Sequence, residues 1–144
     1  LKPFGAVPPL VTDINLDLQD KFLYVSCWGT GDFKQYDVSD PFNPRETASV
    51  RIGGIASGGD LNGGPQMVEV SRDGKRAYIS NSLYASWDAQ FYPEGIRGWI
   101  KKLDAAPGGG LSIDESFAPQ TTLRPHQIHL EGGDASSDSY CFPN

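Results

Sequence analysis

Residues 63–94 read GGPQMVEVSRDGKRAYISNSLYASWDAQFYPE. Met67, Val68 and Val70 form a short apolar strand pattern, and Ala77-Tyr78-Ile79-Ser80 returns as a second. Between them, Ser71-Arg72-Asp73-Gly74-Lys75 is turn chemistry, because Asp-Gly supplies the positive-φ position that a tight hairpin needs. The stretch therefore predicts a hairpin, the first half of an antiparallel unit. Its character then changes. Asn81 to Glu94 carries Tyr84, Trp87, Phe91 and Tyr92, with Asp88 and Gln90 between them, and fits no strand period. Aromatic rings gathered this closely cover something or line something.

The same pattern stands upstream. Ile14, Leu16 and Leu18 alternate with Asp13, Asn15 and Asp17, the mark of a half-buried strand. Phe22–Ser26 is almost wholly apolar and reads as an internal strand. Phe33–Val38 alternates, Ser39–Pro44 is a Pro-fixed loop, and Thr47–Ile52 is a fourth, weaker strand. Four antiparallel strands in about 45 residues are the length of one propeller blade. The unit recurs with strands at Gln66–Ser71, Lys75–Ser80, Gly98–Asp104 and Gly110–Glu115. Asp20-Lys-Phe-Leu-Tyr-Val-Ser26 mirrors Gly74-Lys-Arg-Ala-Tyr-Ile-Ser80, and Gln35-Tyr-Asp37 mirrors Lys102-Leu-Asp104.

The expected fold class is thus all-β, with two four-stranded antiparallel propeller blades at residues 10–52 and 66–115. A Gly-rich flexible linker spans 53–64. A loop is inserted at 81–97, and insertions at one blade corner mark the functional face. The tail, 121–144, is expected to add a strand outside these two blades. Two blades cannot close a ring, so the remainder of the propeller must lie in the same or another chain, and the unpaired edges of this piece invite association.

Composition bounds the function. With 17 glycines and 11 prolines, the chain favours short strands over long helices. A net charge of −6 argues against a nucleic-acid partner. No apolar run approaches the length that spans a membrane, so the chain reads as soluble, in periplasm or cytoplasm. Cys27 and Cys141 are too few for a disulfide framework, and no CxxC suggests zinc or redox chemistry. The glycine-rich 53–64 lacks the lysine and helix of a phosphate loop.

The two histidines, His126 and His129, lie in the tail, three residues apart. On a strand they would face opposite sides, so the spacing alone leaves a metal site and ordinary hydrogen-bonded or solvated histidines both open.

These residues reach a known pattern. Thr12-Asp-Ile14, Phe22-Leu-Tyr24, Gln35-Tyr-Asp-Val-Ser-Asp-Pro41, Gly63-Gly-Pro-Gln-Met67, Asp73-Gly-Lys75, Asn81-Ser-Leu-Tyr84, Trp87-Asp88, Gln90-Phe-Tyr-Pro93, His126 and Gly132-Gly-Asp134 stand in order along nearly the whole chain. The chain resembles the C-terminal third of the selenium-binding protein / methanethiol oxidase family. Cys27 and Thr30 sit where animal relatives have Asn and His, which points to the prokaryotic branch.

The resemblance implies a seven-bladed β-propeller and an enzyme in the full-length protein, with the isolated piece inactive. It implies oxidation of methanethiol by O2 and water to formaldehyde, hydrogen sulfide and hydrogen peroxide, with copper implicated and selenium a further possible ligand. His126 falls on the histidine that precedes the family's Gly-Gly-Asp block and is the leading metal-ligand candidate. His129, where some relatives carry arginine, is the weaker one. The cysteine credited with selenium binding lies outside this stretch, so neither Cys27 nor Cys141 inherits that role. Imidazole suits copper, and the other ligands must come from outside this chain. Trp87, Phe91 and Tyr92 either wall off a small apolar substrate or pack the blade. Asp88 and Asp134 either orient a ligand imidazole or are ordinary loop carboxylates. The competing reading is a non-catalytic propeller that carries selenium or sulfur species or docks proteins.

Overall fold

A computed structural model describes residues 6–55, 61–81, 83–119 and 121–136 of the 144-residue chain. The first four strands are β1 (Val11–Leu16), β2 (Phe22–Cys27), β3 (Asp32–Asp37) and β4 (Arg45–Arg51), paired antiparallel in chain order. The second four are β5 (Val68–Val70), β6 (Arg76–Ser80), β7 (Ile100–Ala105) and β8 (Leu111–Ile113), paired the same way. The two sheets are the two blades read from the repeat.

Their opening hairpins share one construction. In the first, Asp17 N–H donates to Phe22 O and Asp20 N–H to Asp17 O. In the second, Ser71 N–H donates to Arg76 O and Gly74 N–H to Ser71 O. The left-handed position falls on Asp20 (φ 52°) and on Gly74 (φ 68°). Asp tolerates this conformation better than most side chains, and Gly adopts it freely. Asp17 Oδ1 accepts the N–H groups of Lys21 and Phe22, while Ser71 Oγ accepts that of Arg76, so each turn is closed by a side chain at its start.

The core lies between the blades. The first sheet gives Phe22, Tyr24 and Phe33; the second gives Val68, Val70, Ala77, Ile79, Leu103 and Ala105; Ile52 and Trp99 close the cluster. The register explains the second face, since Val68 opposes Ile79, Val70 opposes Ala77, and Ala77 opposes Leu103. Burying each of the larger side chains stabilises by about 1.5–3 kcal/mol.

Strand β1 differs from its sequence reading. Its polar side is the inner one: Asp13 Oδ2 accepts the Val68 N–H at 2.8 Å, and Asn15 Nδ2 reaches Val68 O at 3.5 Å. These two side chains serve the outer edge of β5 as a neighbouring strand would, and so satisfy backbone groups that need partners. The apolar side faces out, with Ile14 58% and Leu16 41% exposed. The alternation is correct, but the described residues leave its apolar side uncovered.

Three further differences concern the connections. Within the 81–97 insertion the chain forms a short helix, α1 (Ala85–Phe91), not an irregular loop. The described ends of the 53–64 linker are pinned, Gly54 N–H to Gly63 O and Ile55 N–H to Gly29 O. The tail forms no strand among its described residues. It makes a single antiparallel bridge, Ala135 to Ser71, and a 3-10 turn at Glu131–Gly133. Its described part therefore lies against the second blade, whereas the tail was expected to pair outside the two blades. Residues 137–144, Cys141 included, are outside the described residues.

Candidate functional site

The inserted segment is closed at its base by buried Asn81. Its Nδ2 donates to Asn62 O and Arg97 O, and its Oδ1 accepts the Trp99 N–H at 2.9 Å. The segment then turns into α1. No side chain caps that helix at Tyr84, and seven residues are too few to hold a helix in water. Packing holds it instead. Trp28, fully buried just after β2, meets Phe91, Tyr92 and Trp87 edge-on at ring separations of 5.3, 6.1 and 6.4 Å. An open apolar pocket of about 280 Å3 forms beside this cluster, between Leu10–Thr12, Trp28, Leu83, Tyr84 and Trp87. Trp87 thus lines a cavity, while Phe91 and Tyr92 stand behind Trp28. Burial pushes the Tyr92 hydroxyl up to about 12, with Asp88 adding to the shift, so it stays protonated at neutral pH.

The partner that the structure shows for Asp88 is an arginine. Asp88 is almost wholly buried under α1, and its Oδ2 is ion-paired with Arg124 of the tail. Burial raises its pKa against the opposing pull of Arg124. Asp134 is likewise taken by an arginine, Arg76, at 2.8 Å, and its carbonyl accepts the Arg72 N–H. The two carboxylates singled out in the sequence therefore fasten the tail to α1 and to the second blade.

Between those two fastenings runs the histidine segment. Ser80 Oγ donates to His126 O at 2.7 Å, which sets that residue at the end of β6. His126 and His129 are both exposed, in a run that pairs with no strand, so the opposite-face argument for the pair does not apply. Next to Gln127 and Ile128 lies a cavity of about 220 Å3, also lined by Asp13, Asn15, Met67 and Glu69. Asp13 is raised mainly by burial and by repulsion from Glu69; the N–H groups of Val68 and Ile14, and His126, pull it down. Among the described residues no group of three His, Cys, Asp or Glu side chains is placed to hold a metal ion. Cys27 is buried and its thiol is pushed up by burial, the opposite of a reactive thiolate.

The family model for the 56 kDa selenium-binding protein matches residues 2–141. The chain belongs to that family. Its relatives include a human methanethiol oxidase, 40% identical across 92% of this chain and 35% of the human protein. A mouse selenium-binding protein 2 is 38% identical over the same shares. The chain thus spans about a third of the length of these family members. Among solved structures, a hypothetical selenium-binding protein from Sulfolobus tokodaii superposes with a TM-score of 0.91 at 58% identity, covering 99% of this chain and 33% of that one. A putative 6-phosphogluconolactonase from Bacteroides fragilis reaches a TM-score of 0.54 at 19% identity, which speaks to the fold alone. The two four-stranded antiparallel sheets thus share the fold of propeller-like lactonases.

Trp28, Arg124, Ser80 and Asp13 were not singled out in the sequence. Trp28 had a signal, an indole flanking the Gly29–Asp32 turn. Arg124 had a weaker one, as the cation nearest His126. Ser80 and Asp13 act through contacts 46 and 55 residues away, which local pattern does not carry.

Proposed function

We propose that this chain is the C-terminal part of a methanethiol oxidase in which His126 is a copper ligand and His129 a secondary candidate. The observation that supports this reading most is the match of nearly the whole chain to relatives named methanethiol oxidase. The donor set fits copper in part. His126 is exposed at the end of β6, close enough to the Asp13 carboxylate to lower its pKa, and further ligands would come from the rest of the protein. Bound copper would supply a path for electrons from the thiol to dioxygen. The reaction balances as methanethiol, O2 and water giving formaldehyde, hydrogen sulfide and hydrogen peroxide. Methanethiol loses two electrons and two hydrogens, one from carbon and one from sulfur, and O2 gains them as hydrogen peroxide; water then supplies the formaldehyde oxygen, the C–S bond breaks, and the sulfur leaves as hydrogen sulfide with both hydrogens of that water. The part of this chain is to hold the imidazole and to shelter a small apolar molecule beside Trp28 and Trp87.

The deciding comparison is His126→Ala against His129→Ala in the full-length protein, reading copper content and methanethiol-dependent oxygen uptake. The expected result is loss of both in His126→Ala and a smaller change in His129→Ala. If His126→Ala keeps its copper and its rate, His126 is a structural residue and the assignment fails. The names of the mouse and archaeal relatives favour a second reading, a carrier of selenium or sulfur species without turnover. Thiol or selenite binding with no peroxide release would support it.

A further inference from the structure

The tail crosses the second blade at one place where no side chain stands in its way. A Cβ on Gly98 would lie 2.1 Å from Leu123 O and 2.7 Å from Pro125 Cδ, so only glycine lets residues 123–125 pass this close. At that crossing Arg124 reaches Asp88, 36 residues earlier in sequence and on a different element. Asp88 is 1% exposed, and a carboxylate so buried needs its partner. Two residues further on, Ser80 Oγ donates to the His126 carbonyl oxygen. We propose that the Asp88–Arg124 ion pair, at the Gly98 crossing, is the clamp that positions His126, and that Asp88 is a positioning residue acting through Arg124.

The geometry gives the clamp two consequences. It ties the histidine segment to α1, the helix that carries the aromatic cluster on Trp28, and so links the pocket wall to the segment that Ser80 and Asp134 also hold. It also gives Asp88 a role other than touching a ligand histidine. The clamp's effect on metal rests on the reading of His126 as a ligand; its effect on the tail does not.

The test uses the full-length protein with Arg124→Met, Asp88→Asn, the double variant and Arg124→Lys. A nitroxide on Gln127→Cys, an exposed tail position, reports mobility in metal-free protein. Copper affinity is read separately by chelator competition. Each of Arg124→Met and Asp88→Asn is expected to sharpen the nitroxide spectrum and to weaken copper at least tenfold. The double variant should be no worse than the weaker single, as for two residues acting as one contact. Arg124→Lys, which keeps the charge, should recover most of both. Unchanged mobility in the single variants overturns the clamp. A loosened tail with unchanged copper affinity overturns the positioning role. If His126→Ala itself retains copper, the ligand assignment is what fails, and the mobility measurement alone decides whether the clamp exists.

Discussion

Gln35 shows how much of this fold rests on single polar side chains. It is fully buried in β3, between the blades. Its Nε2 donates to the Tyr24 hydroxyl at 3.1 Å, and its Oε1 accepts Thr47 Oγ1 and the Gly110 N–H, each at 2.8 Å. The last of these crosses from one blade to the β7–β8 turn of the other. Gln35→Leu keeps the volume but orphans the Tyr24 hydroxyl and the Gly110 N–H, while Thr47 Oγ1 keeps the Gln35 carbonyl at 3.2 Å, and should cost about 2–4 kcal/mol in urea unfolding of the full-length protein. Gly74→Ala should cost about 1–2 kcal/mol by the same measurement, since its φ of 68° lies where a Cβ meets the following carbonyl. The two residues differ in legibility. Gly74 could be read from Asp73-Gly74 between two strand patterns, because a turn is a local matter. The partners of Gln35 are 11, 12 and 75 residues away, and a single sequence has no term for them.

The strands were legible because a period of two survives any partner, and the repeat fixed their order. Helix α1 was not, because seven residues hold less than two full turns of pattern and its stability is borrowed from Trp28. Trp28→Ala should therefore cost about 3–5 kcal/mol and release α1, with Trp87 moving to a wetter fluorescence signature. A Trp28→Ala protein with unshifted emission would mean that α1 stands without the cluster. A second expectation concerns β7 and the turn after β8. Lys102 Nζ lies 2.8 Å from Asp114 Oδ2, and that contact, with Ser116, holds the Asp114 carboxyl down at about 2. A depressed carboxyl stabilises the fold above its ordinary value of 3.8, and the contribution is lost as pH falls toward about 2. The unfolding midpoints of wild type and Asp114→Asn should accordingly stand apart near neutrality and converge on acidification through that window. Burial at Asp13 and Asp88 works with the opposite sign, since a raised carboxyl favours the fold at low pH and loses that advantage as pH rises through its folded value. Asp88→Asn should for that reason change global stability little while it frees the tail.

At the scale of the molecule, the face of the first blade that looks away from the second decides how this piece behaves. Ile14 stands directly opposite Val25, and Leu16 opposite Leu23, on that outer face. With Val11 they leave apolar side chains exposed along β1. Charged side chains on the same face, Lys34 with Glu46 across β3 and β4, sit toward its far edge. A sheet that buries one face and exposes an apolar second face is a half-made layer, and water penalises the exposed apolar area by about 25 cal/mol per Å2. The chain matches 33% of the archaeal structure on which it superposes, and under the proposed reading the rest of such a protein would cover that face. The 144 residues alone should therefore associate through it. Sedimentation at increasing concentration should show species larger than the monomer, and Ile14→Lys with Leu16→Lys should shift the distribution toward monomer. In the full-length protein the same pair should do the reverse of a solubilising change and destabilise, because there the lysines would be buried against the neighbouring layer. A wild-type piece that stays monomeric and unfolds in one sharp transition would show that the two blades need no third, and that the outward face of β1 is a true surface.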